Sequence, residues 1–273
     1  MRLELSGTER AVFLRRMGAG PTMTLLHGFP SSSHDWARVA PALARRHALL
    51  LPDFLGFGAS EKPREHVYSL HEQADLVEAL WRREAVVSTR LLAHDYAVSV
   101  TQELLARRAE GVLAVELLDV HLLNGGVYPD LHRPEPVQTA LLDPEQGPQL
   151  SATVNEQLMT AALAPTFAPG FDAARDSAQM WRAMSCDAGE RIMHLLIRYI
   201  ADRKLHGERW TQAMEGTDVA VAFVWGMLDQ ISGAHMAEHI ARRMPDAALL
   251  ALDDVAHWPA LEAPDRVLAA TLT

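Results

Sequence analysis

The chain has 273 residues, 49% hydrophobic and 22% charged, with 25 basic and 35 acidic residues for a formal net charge of -10. Such a chain is globular and can bury a large core. The acidic balance argues against a nucleic-acid surface, whose phosphate contacts need clustered Lys and Arg, whereas Arg15-Arg16, Arg45-Arg46 and Arg107-Arg108 are scattered pairs.

A single cysteine, Cys186, excludes an internal disulfide and suits a reducing compartment. No apolar run reaches the length of a membrane span and the N-terminus lacks a signal-peptide core, so a soluble, cytoplasmic protein is expected. Met1 to Leu5 and Ala11 to Arg16 read as two strands joined at Ser6-Gly7-Thr8 into a hairpin. Pro21 to Leu26 is a strand ending in His27-Gly28-Phe29-Pro30. A helix from Asp35 to about Arg46 carries Trp36, Val39, Ala40 and Leu43 on one face, and His47 to Leu51 is a buried strand running into Asp53-Phe54-Leu55-Gly56-Phe57-Gly58.

Ser69, with Glu72 three residues later, has the pattern of a capping box and starts a helix through Leu80 and Trp81. Val86 to Ala93 is an apolar strand, and a helix follows to about Ala109. Between them stands Ala93-His94-Asp95-Tyr96-Ala97, small-x-nucleophile-x-small, the layout of a nucleophile elbow with Asp at its centre. Another strand ends at His121 to Asn124. Strands that are apolar throughout, alternating with helices, predict a mostly parallel, doubly wound sheet covered on both faces.

From residue 127 to 204 no buried strand is evident. The helical stretches Val154 to Ala164, Asp172 to Met184 and Glu190 to Arg203 predict an inserted cap between a first core part, 1–126, and a second, 205–273. The sheet resumes at Val219 to Trp225, followed by Asp229, a helix from Ala234 to Met244, a strand from Ala247 to Leu252, a loop containing His257, and a closing helix from Ala263 to Leu272.

Asp95, Asp229 and His257 each follow a predicted parallel strand, and strand ends of such a sheet converge on one crevice. The order nucleophile, acid, histidine suits Asp95 as nucleophile, His257 as the base that activates water, and Asp229 as its orienting acid, with Asp253 and Asp254 as competitors for the last role. A carboxylate nucleophile attacks saturated carbon and leaves an alkyl ester, which points to an epoxide or alkyl halide, not a carboxylic ester. His27-Gly28-Phe29 and the N–H of Tyr96 are placed to supply an oxyanion hole. An epoxide oxygen needs an acid, for which the cap offers Tyr199 and, at its entrance, Tyr128. Asp53 to Gly58 lacks the third glycine of a dinucleotide fingerprint. The partners expected are a small apolar substrate and water, with no cofactor and no metal; a binding protein on the same scaffold is the competing class.

These motifs, HGFP, DFLGFGAS, HDY, GMLD and DDVAHWP, resemble the α/β-hydrolase superfamily in its branch of epoxide hydrolases and haloalkane dehalogenases. HGFPSSSHDW, DFLGFGASEKP, HDYAVSVTQELL and NGGVYPDLHRP are similar to the group of the mesoderm-specific transcript protein and its bacterial relatives. The resemblance implies an α/β-hydrolase fold and the roles given above to Asp95, Asp229 and His257. Tyr96 and Phe29 replace the Trp and Asn with which haloalkane dehalogenases bind halide. The elbow has no Arg of the fluoroacetate-dehalogenase kind, so the reading from sequence favours an epoxide.

Overall fold

Strands buried on both faces and separated by helices assemble into a seven-stranded sheet with a helical cap over one edge. The computed structural model describes residues 1–272. The nine strands are β1 (Arg2–Leu5), β2 (Thr8–Ala11), β3 (Leu14–Met17), β4 (Thr22–Leu26), β5 (Ala48–Pro52), β6 (Ser88–His94), β7 (Glu116–Leu123), β8 (Ala220–Gly226) and β9 (Ala248–Leu252). The large sheet has the order β3-β5-β4-β6-β7-β8-β9, and only β3 runs antiparallel to its neighbour. Alternate side chains of the central strands enter two apolar clusters: Leu26, Leu91, Ala93, Leu122 and Phe223 on one face, Leu25, Leu92, Leu123 and Val224 on the other. Each buried leucine contributes about 1.5–3 kcal/mol relative to exposure, and the period of two makes every central strand apolar throughout.

The opening hairpin differs from the predicted one. Ser6 and Gly7 both take positive φ (49° and 75°), closing a two-residue turn at once, so β1 pairs with Thr8–Ala11. Ala11 and Phe13 then donate to Glu61 and Ser60, and the segment predicted as one strand divides, its second half pairing with β5. The helix expected from Asp35 to Arg46 is also divided, into a 3-10 turn at Ser33–Trp36 and a short helix at Ala40–Leu43. Pro41 lacks the N–H that a continuous helix would need there. Ser69 does cap the helix Leu70–Arg83, accepting from Glu72 N at 3.1 Å, but the Glu72 carboxylate turns to His66 at 2.7 Å and leaves the capping box half made.

In the cap, Asn155 accepts from Leu158 N and starts a helix at Glu156–Leu163, close to the predicted one. Two helices that the Pro-rich sequence concealed precede it, Pro136–Leu142 and Gln146–Thr153. The predicted helix Glu190 to Arg203 is broken: Asp187 and Ala188 take positive φ, Met193–Leu196 forms one turn, and a new helix runs from Tyr199 to Glu215, through residue 204 where the sequence placed the end of the cap. The cap is fastened to the core by Asp176, which pairs with Arg38 at 2.5 Å and His34 at 3.1 Å. No helix among the described residues is long and apolar enough to cross a membrane.

Candidate active site

β6 ends at His94, and the chain turns directly into the helix Tyr96–Ala109. Asp95, between them, has φ 48° and ψ -103°, a strained conformation for a residue with a Cβ. Its N–H is held by the carbonyl of Asn124 at 2.9 Å. Ala93 and Ala97 are fully buried where strand and helix crowd together, and a side chain larger than theirs would have no room. The turn lifts the Asp95 carboxylate above the sheet edge, as expected of an elbow.

His257, five residues beyond β9, places Nδ1 2.8 Å from Asp229 Oδ2. Asp229 also accepts from Ile231 N at 2.8 Å, Ser232 Oγ at 2.7 Å and Asn124 Nδ2 at 3.0 Å. Of the three candidate acids Asp229 is the one in contact with His257: Asp254 pairs instead with Arg266, and Asp253 is exposed. Burial opposes charge on both partners of the pair, yet their attraction and hydrogen bond outweigh it. Asp229 is held below the usual carboxylate range, and His257, with Asp229 and then Asp95 raising it, is pushed up to about 9.

Phe29 N–H donates to Asp95 Oδ2 at 2.9 Å, placing one oxyanion donor beside the carboxylate. Its direction is fixed by His27. Phe54 N–H donates to His27 Nε2 at 3.0 Å, so the proton lies on Nδ1, which donates to Gly28 O at 2.9 Å. Gly28 must be glycine, because a Cβ there would lie 2.9 Å from Asp95 Cβ and from His94 Nδ1. The second expected donor, Tyr96 N–H, stands at the start of the helix after Asp95 and makes no hydrogen bond to the Asp95 carboxylate.

Asp95 and His257 open into a cavity of about 240 Å³ beneath the cap. Its wall is mainly apolar, with Leu141, Leu150, Val154, Met159, Leu163 and Met193 prominent, and Glu135 and Gln138 bring polar groups. Thr166 also faces it, but its hydroxyl already donates to Leu163 O and accepts from Trp258 Nε1.

Neither cap tyrosine lines this cavity. Tyr128 is corrected outright: its hydroxyl donates to Glu215 at 2.8 Å and its ring packs on His239, away from Asp95. We therefore expect Tyr128→Phe to cost about 1 kcal/mol of stability through the lost hydrogen bond and to leave turnover unchanged, as thermal unfolding and steady-state rates will show. Tyr199 is closer. Its buried ring packs on Phe29 and Tyr96, and its hydroxyl lies 3.4 Å from Gln138 Nε2. Burial and then the nearby Asp95 charge raise its pKa, so the hydroxyl is neutral.

The residue that the sequence did not reveal is Arg203. One turn after Tyr199 on the same helix, it is 1% exposed, its Cζ sits 4.5 Å from the Tyr199 ring centroid, and its Nη2 donates to Asp95 O at 3.1 Å while lying 3.8 Å from Asp95 Oδ1. Nε donates to Ser99 Oγ at 2.7 Å. The i, i+4 spacing with Tyr199 was the available signal, since both side chains then share one helix face. Arg203 brings a fixed positive charge to the Asp95 carboxylate, whose residue is itself 4% exposed. Among the described residues no cluster of His, Cys, Asp and Glu is arranged to hold a metal ion.

With this geometry in place, the relatives are informative. A family model for the alpha/beta hydrolase fold matches residues 21–264. The chain is 38% identical to the protein LipZ of Mycobacterium tuberculosis over 264 residues, 96% of this chain and 91% of that one. It is 36% identical to the mesoderm-specific transcript homolog protein of Homo sapiens over 258 residues, 91% of this chain and 76% of that one. A crystal structure of an alpha/beta hydrolase fold protein from Burkholderia ambifaria superposes with a TM-score of 0.82 at 26% identity, covering 100% of this chain and 96% of that one. Haloalkane dehalogenase and epoxide hydrolase structures share the same fold.

Proposed function

Since the chain belongs to the α/β-hydrolase family, we propose that it hydrolyses a small apolar electrophile through an ester of Asp95. The observation that carries this reading is the convergence of Asp95, the Asp229–His257 pair and the Phe29 N–H on one apolar cavity. In the first step a carboxylate oxygen of Asp95 attacks a saturated carbon of the substrate; a carbon–oxygen bond forms and the bond to the leaving group breaks. In the second, neutral His257 removes a proton from water, which adds to the ester carbonyl. The resulting oxyanion is stabilised by Phe29 N–H; on its collapse the bond to the alkyl oxygen breaks, that oxygen takes the proton back from His257 and leaves as the alcohol, and Asp95 loses the remaining water proton to solvent and is again a carboxylate.

Epoxides fit the apolar wall, and the tyrosine hydroxyl nearest to it is that of Tyr199, which sits behind the wall residue Gln138 at 3.4 Å and would have to turn past it to reach their oxygen. A second reading, displacement of a halide, is favoured by the absence of a tyrosine hydroxyl from the cavity wall, because a halide departs without a proton. The wild-type protein is expected to turn over members of a panel of small epoxides and haloalkanes, and Asp95→Asn to turn over none. Turnover that survives in D95N, or a broad panel on which the wild type is inert, would overturn the reading. In the inert case the remaining role is binding on a hydrolase scaffold.

A further inference from the structure

A second acid–histidine contact lies behind the reacting groups and is not used by the ester chemistry. His94, the residue before the nucleophile, places Nε2 2.7 Å from the backbone carbonyl of His257 and Nδ1 3.1 Å from Asp35 Oδ2. The same Asp35 oxygen accepts from Gly28 N at 2.8 Å. Asp35 and His94 are 1% and 3% exposed, and neither lines the cavity. We propose that Asp35 and His94 are positioning residues, a buried carboxylate–imidazolium pair that touches no substrate and holds the oxyanion-hole loop and the loop of His257 in register.

The protons follow from the partners. A carbonyl oxygen can only accept, so His94 Nε2 carries a hydrogen. Nδ1 faces a carboxylate oxygen that is already accepting from Gly28, and an unprotonated Nδ1 would turn its lone pair on that anion. His94 therefore carries both protons. Asp35 remains charged: burial works against this, but the hydrogen bond and charge of His94, with the Gly28 N–H, hold it below the usual carboxylate range. The other ionisable groups around the pair are His27, neutral by its own hydrogen bonds, Asp95 next in the chain, and His257, whose ring centroid is 5.1 Å from that of His94. The pair thus joins three segments that must agree in position: Asp35 ties Gly28-Phe29 to His94-Asp95, and His94 ties both to His257. Ester hydrolysis needs both the Phe29 donor and the His257 base, whereas alkylation needs Asp95 and, for an epoxide, an acid at the ring oxygen, neither of which the pair holds through His257, so the pair matters chiefly to the second step.

This inference rests on the reading of Asp95 and His257 given above, and its test separates the two. In protein carrying 15N-labelled histidine, the His94 signals, assigned by their loss in His94→Gln, are expected to report two protonated ring nitrogens at neutral pH. In Asp35→Asn the amide oxygen can keep the Gly28 bond, its NH2 replacing Oδ1, which has no partner. The change then removes the charge, and His94 is expected to become neutral. Single-turnover kinetics of D35N and H94Q with an epoxide or haloalkane should show unchanged alkylation and hydrolysis slowed ~10–100-fold, the scale of loss when an outer hydrogen-bond partner of a metal-ligating histidine is removed. A neutral His94 in the wild type overturns the ion pair, and wild-type hydrolysis in both variants overturns the positioning role. Should D35N fail to fold by circular dichroism, H94Q carries the kinetic comparison. If wild-type Asp95 forms no ester at all, the reading of the site fails instead, and the nitrogen spectrum still decides whether the pair exists.

Discussion

His257→Gln, incubated with a reactive epoxide, is expected to accumulate a stable adduct on the peptide containing Asp95. Glutamine cannot serve as a general base, and loss of such a base typically costs about 10²–10⁴-fold, so hydrolysis stalls while attack by the carboxylate continues. The asymmetry follows from the geometry: Asp95 is held at the elbow by the Asn124 carbonyl and faced by the Phe29 N–H, and neither contact involves the His257 ring. Mass spectrometry distinguishes the substrate classes in the same experiment. An epoxide adds its full mass because its oxygen stays on the product, whereas a haloalkane adds only the alkyl group. D95N should show no adduct. Label on Asp253, Asp254 or Cys186 in place of Asp95 would overturn the assignment of the nucleophile.

How far the site was legible depends on which kind of contact made it. Asp95, Asp229 and His257 could be read because each follows an apolar strand, and a parallel sheet gathers its strand ends by topology alone. The elbow was legible for a local reason, since Ala93 and Ala97 leave room that a larger residue would not. Contacts between side chains on separate elements left no such mark. Asp35 meets His94 only because the 3-10 turn at Ser33–Trp36 lies over the end of β6, a placement made when Pro41 divides the predicted helix. Arg203 reaches Asp95 from a helix that begins only at Tyr199, after the separate turn Met193–Leu196 has interrupted the predicted Glu190 to Arg203 helix. The tyrosine acids show the converse: position in the cap was readable, but not direction, and Tyr128 turns to Glu215 while Tyr199 packs behind Gln138.

Asp229→Asn is expected to lower ester hydrolysis by about 10⁴-fold, as loss of the orienting acid does in other Asp-His pairs. The partners explain why an amide cannot substitute. Oδ2 receives hydrogens from His257 Nδ1, Ser232 Oγ and Asn124 Nδ2, and Oδ1 receives one from Ile231 N. An NH2 group at Oδ1 would oppose the Ile231 N–H. Placed at Oδ2, it would oppose Asn124 and turn His257 Nδ1 into an acceptor, moving the ring proton to Nε2, where a base must be free. The pH dependence should change as well. In the free protein His257 is pushed up to about 9 against its burial, chiefly by Asp229 and then by Asp95, so it is a cation at neutral pH. Alkylation neutralises Asp95 and removes one raising influence, so His257 loses its proton more readily in the ester. Wild-type ester hydrolysis should therefore rise with pH through a midpoint below that of the free protein. The same shift contributes to stability, fully below the unfolded histidine value near 6.5, and this contribution is lost as pH rises through about 9. In D229N the His257 titration, followed by NMR, should fall well below about 9 because burial then acts against a weaker attraction. A His257 titration unmoved by D229N, or D229N hydrolysis near the wild-type rate, would show that another group holds the imidazole.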